Sequence, residues 1–333
     1  MAEPVQAQIS ASYLRFGEQE ARGRSPLYET LACGVARDLD IIGFLMTLPR
    51  EKRQPNLLFA AVRHLFGTQL GWAEFRRTVV NNSDALRRLM LARSTQTNEP
   101  GRCATLLPVL AMLPQPLALI EVGASAGLCL LPDFYGYDYR GHMISRDLGP
   151  APIFPCTAGA RTPLPTGLPE IVWRAGLDLN PIDVSDPAEA AWLAALVWPE
   201  QADRQTRLDA AMKIAAAHRP RLVKGDLRRD LGPLAAAAPK GATLVIFHTA
   251  VLAYIRSPAE RSEFMRSVMS LCDFWLANEA PHVLPDVAAG IEESAVDGRF
   301  LMSVNGAPVA WADPHGAWLD WIADPPGVRR GPV

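Results

Sequence analysis

The chain has little that would tie it to a metal, a membrane or a nucleic acid. Its 333 residues hold five cysteines, Cys33, Cys103, Cys129, Cys156 and Cys272, which are scattered and form no C-x-x-C pair. That spacing excludes the common zinc frameworks, so no metal ligands are expected, and reduced thiols fit a cytoplasmic protein. No apolar run approaches the roughly 18 residues of a membrane-spanning helix. Met1 to Tyr13 shows no charged segment followed by an apolar core, so no signal peptide is expected. The net charge of -2 lacks the basic excess that nucleic-acid binding needs. Neither internal repeats nor charged low-complexity runs occur. The expected partner is a small molecule, with no nucleic acid and no membrane involved.

What is present divides by texture. Residues 1–95 carry helical signals throughout and read as an all-helical domain capping the rest. Ser25-Pro26 is a helix start, a capping hydroxyl followed by proline where its missing N–H costs nothing. Leu27, Leu31, Val35, Leu39 and Ile42 follow at helical spacing. Pro55-Asn56 and Asn82-Ser83-Asp84 open two more apolar helices. From residue 100 onward helical and extended patterns alternate. Strands are expected at 117–122, 171–178, 221–223, 243–248 and 274–279, with helices over 100–113, after residue 127, and over 187–217, 228–238 and 258–271. The helix over 187–217 is interrupted near Trp198-Pro199. Asn305-Gly306 joins two last strands into a hairpin, because that pair supplies positive φ cheaply. The pattern predicts an α/β fold, 96–333, whose parallel sheet ends in an antiparallel hairpin, with a Pro/Gly-rich insertion at about 139–170.

The most informative segment is Leu117-Ala118-Leu119-Ile120-Glu121-Val122-Gly123-Ala124-Ser125-Ala126-Gly127-Leu128. A buried strand ends in a carboxylate, a turn of small residues follows, and then an apolar run reads as a helix. Small residues let a ligand approach the backbone, and a helix start there would favour polar or anionic groups. The dinucleotide fingerprint fails, because its three glycine positions hold Gly123, Ser125 and Leu128. Gly123-Ala124-Ser125-Ala126-Gly127 matches the nucleophile-elbow pattern, which would make Ser125 the nucleophile of an esterase. Against this, no strands precede it and no His-Gly-Gly segment supplies an oxyanion hole. The third alternative is a cofactor loop in which Glu121 holds the ligand or the loop and Gly123 and Gly127 give clearance.

Polar residues recur at the carboxyl ends of the expected strands: Glu121, Asp178, Asp226, His248 and Glu279. Open α/β sheets bind ligands at that edge. Asp178 suits a ribose diol, and Asp226 either an adenine amine or a helix cap. His248 reads as a general base, with Glu279 beside it, or as a hydrogen-bonded buried histidine. Gln96, Asn98, Glu99 and Arg102 cluster where the helical part meets the α/β part, together with Trp198, and are expected to line a cleft there.

The run Gln96-Thr97-Asn98-Glu99 with Arg102, the loop at 121–128, Trp173 to Pro181, Trp192-Leu193 with Val197-Trp198-Pro199, Gly225-Asp226 and Val245 to Leu252 together resemble the bacterial domain of unknown function family 2332. The resemblance implies a Rossmann sheet like that of S-adenosylmethionine-dependent methyltransferases, with an N-terminal helical extension, and no established reaction. It makes S-adenosylmethionine the expected cofactor, held by Glu121, Gly123, Ala124, Ser125, Gly127, Asp178 and Asp226. Methyl transfer to a small molecule would follow, with His248 and Glu279 in the catalytic position. One departure matters: Asp178 lies 51 residues beyond Gly127 (178 − 127), far for the second-strand acid. Either a lid or hairpin intervenes or Asp138 or Asp147 is the ribose partner. The alternatives are a non-catalytic ligand-binding or scaffold protein and the Ser125 esterase.

Overall fold

The structure, a computed structural model, describes residues 4–68, 70–96, 98–146, 151–289, 291 and 298–327. The chain forms two compact units, one from Met1–Thr97 with Asp186–Thr206 and one from Asn98–Ser185 with Arg207–Val333.

The first unit is helical. Ser25 accepts the N–H of Tyr28 at 3.1 Å, and Pro26 starts the helix Pro26–Val35. The apolar spacing from Leu27 to Ile42 is not one helix. The chain leaves helical geometry at 36–38, and Asp38 caps a new helix, Leu39–Met46, by accepting from the Ile41 N–H at 3.0 Å. Helices Pro55–Phe66 and Ser83–Ala92 begin where proline and the Asn-Ser-Asp run predict, and Val5–Arg15 and Trp72–Asn81 complete the set from this stretch. The unit extends past residue 95 because Pro187–Leu196 belongs to it. Trp192 is 1% exposed in the same apolar cluster as Tyr13, Phe16, Phe59 and Phe75, where aromatic edges meet faces, as for Tyr13 and Phe59 with centroids 6.1 Å apart.

The second unit is a mixed α/β structure around a large, mostly parallel sheet. Its strands are β1 (Leu117–Val122), β2 (Gly136–Tyr139), β3 (His142–Ile144), β4 (Ile153–Pro155), β5 (Thr157–Ala158), β6 (Ile171–Asp178), β7 (Arg221–Lys224), β8 (Thr243–Thr249), β9 (Phe274–Glu279), β10 (Phe300–Val304), β11 (Ala307–Ala312) and β12 (Trp318–Trp321). The nine-stranded sheet runs β5-β12-β11-β10-β9-β8-β1-β6-β7. Strands β9, β8, β1, β6 and β7 are mutually parallel, and β10 to β12 form an antiparallel meander. The hairpin turn is as expected: Asn305 has φ 49° and Gly306 φ 79°, the two positive values of a type I′ turn. The insertion after Gly127 is mostly a small sheet of order β3-β2-β4. Its last strand, β5, pairs with β12 at the far edge of the main sheet.

All six residues of β1 are buried, as a parallel strand covered on both faces requires. Ile120 and Val122 join a cluster with Ile246, Trp275 and Phe264 on one face. By the two-residue period, Leu119 and Glu121 turn to the other face. Helix Cys103–Met112 precedes β1.

One expected helix is missing. After Gly127 the chain makes two short 3-10 turns, Leu128–Leu130 and Pro132–Phe134, and no α-helix. Pro132 is the cause: it disfavours helical geometry at Leu131, which sits at φ -118° and ψ 34°. Arg174 then anchors the turns, donating to both oxygens of buried Asp133 (2.7 and 3.0 Å) and to the Leu130 carbonyl (2.9 Å). Helix 228–238 is also shorter than predicted, covering Leu231–Ala235.

Candidate functional site

The strand order reverses at β1. From there β6 and β7 lie to one side and β8 and β9 to the other. The carboxyl ends of strands flanking such a reversal are where open α/β sheets leave a crevice. Here that edge carries Glu121, the loop 123–127, Asp178 and the chain following β8.

The loop is held by its own chain. Gly123, Ser125 and Gly127 all have positive φ (72°, 48° and 68°). The Asp178 carboxylate accepts the Ser125 N–H at 2.8 Å through Oδ2 and the Asn180 N–H at 2.7 Å through Oδ1. Asn98 clamps the other side: its Nδ2 donates to Ser125 Oγ at 2.8 Å and its Oδ1 accepts the Ala126 N–H at 2.9 Å. The glycines give clearance to protein atoms. A Cβ at Gly123 would stand 2.4 Å from the Val251 side chain, and one at Gly127 2.9 Å from Leu222. With no helix after the loop, there is no helix N-terminus at this point to attract an anionic group, contrary to expectation. Ala124 is buried against Gly176, where an added Cβ would lie 2.5 Å from it. A hollow of about 300 Å³ opens beside the loop, bounded by Ala126, Ile182, Asp183, Arg219 and Leu222.

Glu121 is 5% exposed, and its Oε2 has no hydrogen-bond partner. Burial raises its carboxyl well above the usual carboxylate range, and neighbouring Cys129 and Asp178 add to the rise against the pull of Arg102. The Cys129 thiol, buried beside that of Cys103 and donating to the Glu99 carbonyl at 3.5 Å, is likewise raised well above its ordinary value. The folded protein therefore keeps the Glu121 proton to higher pH than the unfolded chain, whose glutamates titrate at about 4.3. This contribution to stability is fully present below that value and is lost as pH rises through the folded pKa. Glu121→Gln should melt with the wild type near pH 4 and increasingly above it as pH rises to 8. Parallel melting curves across that range would contradict the assignment.

The other predicted site residues separate. His248 is 0% exposed and lies on the opposite face from Glu121, against Phe264. Trp275 Nε1 donates to its Nε2 at 3.0 Å, so Nδ1 carries the proton and donates to Glu279 Oε1 at 2.8 Å. That oxygen also accepts the Val251 and Leu252 N–H groups at 2.8 and 3.0 Å. Both imidazole nitrogens are thus occupied, the arrangement of a hydrogen-bonded buried histidine. Asp226 is engaged by its neighbour: the Arg228 guanidinium bonds both its oxygens (2.9 and 2.6 Å) and pulls its carboxyl down to about 2. Trp198 belongs to the helical unit's core, between Phe16 and Tyr28, and bonds Asn56 at 3.1 Å. Gln96 is half-buried in that unit. Asp138 accepts the Gly141 N–H at 2.6 Å in the β2–β3 hairpin turn. Asp147 lies outside the described residues.

Glu99 and Arg102 are both buried. Glu99 Oε1 accepts the Gly101 N–H at 3.0 Å. Arg102 spans to the end of β8, where Nη1 bonds the Thr249 carbonyl (3.1 Å) and hydroxyl (2.9 Å) and Nε bonds the Pro314 carbonyl (2.8 Å). The sequence reading missed Thr249 and Asn278. Asn278 is fully buried, with neither amide atom hydrogen-bonded. Alternation along β9 carried the signal: Trp275, Ala277 and Glu279 share one face, which leaves Asn278 on the face of Glu121.

Fold and site together define a mixed α/β protein whose largely parallel sheet reverses its strand order beside a buried carboxyl. The chain belongs to the bacterial family of domain of unknown function 2332, described as an uncharacterized protein conserved in bacteria, whose model matches residues 10–321. No curated protein and no solved structure matches it. Among the described residues no helix is long and apolar enough to cross a membrane, and no cluster of His, Cys, Asp or Glu is suited to a metal ion.

Proposed function

We propose that the protein binds S-adenosylmethionine at the carboxyl edge of β1 and transfers its methyl group to a small molecule. The observation that carries this reading is Glu121, a buried carboxyl with a spare oxygen at the strand where the order reverses. A buried carboxyl without a donor is costly. A cationic ligand, bearing a sulfonium and an ammonium group, would satisfy it and draw off its proton. The order β7-β6-β1-β8-β9 follows the 3-2-1-4-5 pattern of doubly wound sheets. The hollow beside Ala126 reaches the lower end of the size range of small-molecule sites. Asp178, half-exposed and already ordering the loop, keeps a second lone pair on each oxygen for a ribose hydroxyl. Transfer would rest on alignment of donor and acceptor. With the imidazole of His248 occupied, acceptors that need no base, such as carboxylates and thiolates, fit best.

Calorimetric titration tests this directly. S-adenosylmethionine should bind the wild type, and Glu121→Gln should weaken it by about 10- to 150-fold, the worth of roughly 1.5–3 kcal/mol for a charged hydrogen bond. Equal affinity in both proteins would remove Glu121 from the site, and absence of binding to the wild type would remove the cofactor.

A second reading, a ligand-binding protein without chemistry, is favoured by the enclosure of His248 and Glu279. Binding without turnover to S-adenosylhomocysteine across broad acceptor sets would select it. The esterase reading has one feature in its favour, the strained φ of Ser125. Its Oγ, however, meets the Asn98 amide and not an imidazole, and the helix that follows a nucleophile elbow is absent.

A further inference from the structure

On the face of Glu121, at the ends of β8 and β9, two buried polar groups have bonding capacity that the fold leaves unused. Thr249 and Asn278 are register partners in neighbouring parallel strands, so their side chains stand on the same face about 4.8 Å apart. Arg102 comes to that face to bond Thr249, the register partner of Asn278. Arg102 is 5% exposed, and its bonds run to two carbonyls and a hydroxyl. Among the described residues no carboxylate pairs with it, and its Nη2 makes no hydrogen bond. Buried charges are normally paired. The Asn278 amide has an unused donor and an unused acceptor at 0% exposure. A buried amide with both ends unused is rare in folded proteins.

We propose that Arg102 and Asn278 form a subsite for the carboxylate of a small molecule bearing a hydroxyl or amino group on the adjacent carbon. Arg102 Nη2 and Asn278 Nδ2 supply donors to the carboxylate, and the guanidinium charge strengthens the first of these bonds. Asn278 Oδ1 accepts from the neighbouring hydroxyl or amine. This names the acceptor class for the methyl transfer proposed above and rests on that reading only for its role in the reaction. The binding chemistry stands without the methyl donor.

The test uses the whole chain, with melting temperature as readout. The probes are L-serine and L-lactate, with serinamide and lactamide as controls lacking the charge, each with and without S-adenosylhomocysteine. The acids should raise the melting temperature and the amides should not. Asn278→Leu, which puts an apolar side chain of similar size in place of the orphaned amide, should melt higher than wild type without probe and lose the acid-induced shift. Asn278→Ala, the second variant, should weaken acid binding at least about tenfold. No shift with either acid overturns the proposal, as does an equal shift with the amides or an unchanged shift in the variants. A lower melting temperature in Asn278→Leu also overturns it, since the amide would then serve the fold through ordered water. If S-adenosylhomocysteine binds and the acids do not, this inference alone falls. If the acids bind and S-adenosylhomocysteine does not, the cofactor reading alone falls.

Discussion

His248→Ala should destabilise the protein by upwards of about 4 kcal/mol, more than any other single change at the strand ends. The cost has two parts. Removing a fully buried ring leaves a cavity among Phe264, Trp275 and β9, which for aromatic truncation costs about 3–5 kcal/mol by itself when the walls do not relax. The Trp275 indole N–H then loses its acceptor and Glu279 Oε1 one of its three donors, and each orphaned group adds to the loss. Denaturant unfolding measures the total. Ligand affinity per folded molecule should stay at the wild-type level, because the ring faces away from Glu121. A variant that folds as stably as the wild type yet has lost turnover would make His248 a catalytic base after all.

Gly123→Ala should cost about 2–5 kcal/mol. The residue sits at φ 72°, which is unfavourable by roughly 1–2 kcal/mol for a residue with a Cβ. The new methyl would also meet Val251 at 2.4 Å, and overpacking of this kind costs about 1–3 kcal/mol. The double variant Gly123→Ala, Val251→Ala separates these parts, since trimming Val251 should recover the steric share and leave the conformational one. A double-mutant cycle by denaturant unfolding gives the coupling. Additive losses would mean that the two residues do not touch, and that the loops after β1 and β8 lie further apart than the structure places them.

Glu121 and His248 show how far strand-end patterning carries. Both end apolar strands, and in sequence they look equivalent. In the sheet they point to opposite faces, because β1 and β8 pair in register with Glu121 opposite Phe247 and not His248. Counting the two-residue period outward from Trp275 and Ala277 would have put Glu279 with His248 and left Asn278 with Glu121. The alternation within β9 is legible in the sequence, but which of its faces Glu121 shares is set by neighbouring strands and their register. The helix expected after Gly127 failed for a local reason that was legible: Pro132 stands too close to the loop for a helix to start and continue.

Motif resemblance alone pointed to the family, and apolar pattern and turn residues alone placed the helices of the first 95 residues, the parallel strands, the Asn305-Gly306 turn and the loop of small residues after β1. These depend on short-range constraints, namely apolar periodicity, capping side chains and the steric freedom of glycine. Tertiary structure alone decided which polar residues meet. It recruited Pro187–Leu196 to the helical unit through Trp192, enclosed His248 between Trp275 and Glu279, gave Asp226 to Arg228, and left Glu121 and Asn278 unpartnered on one face near Arg102. Partners separated by a hundred or more positions, such as Arg102 and Thr249, are set by strand order and register, and these follow from how the whole sheet buries its two faces.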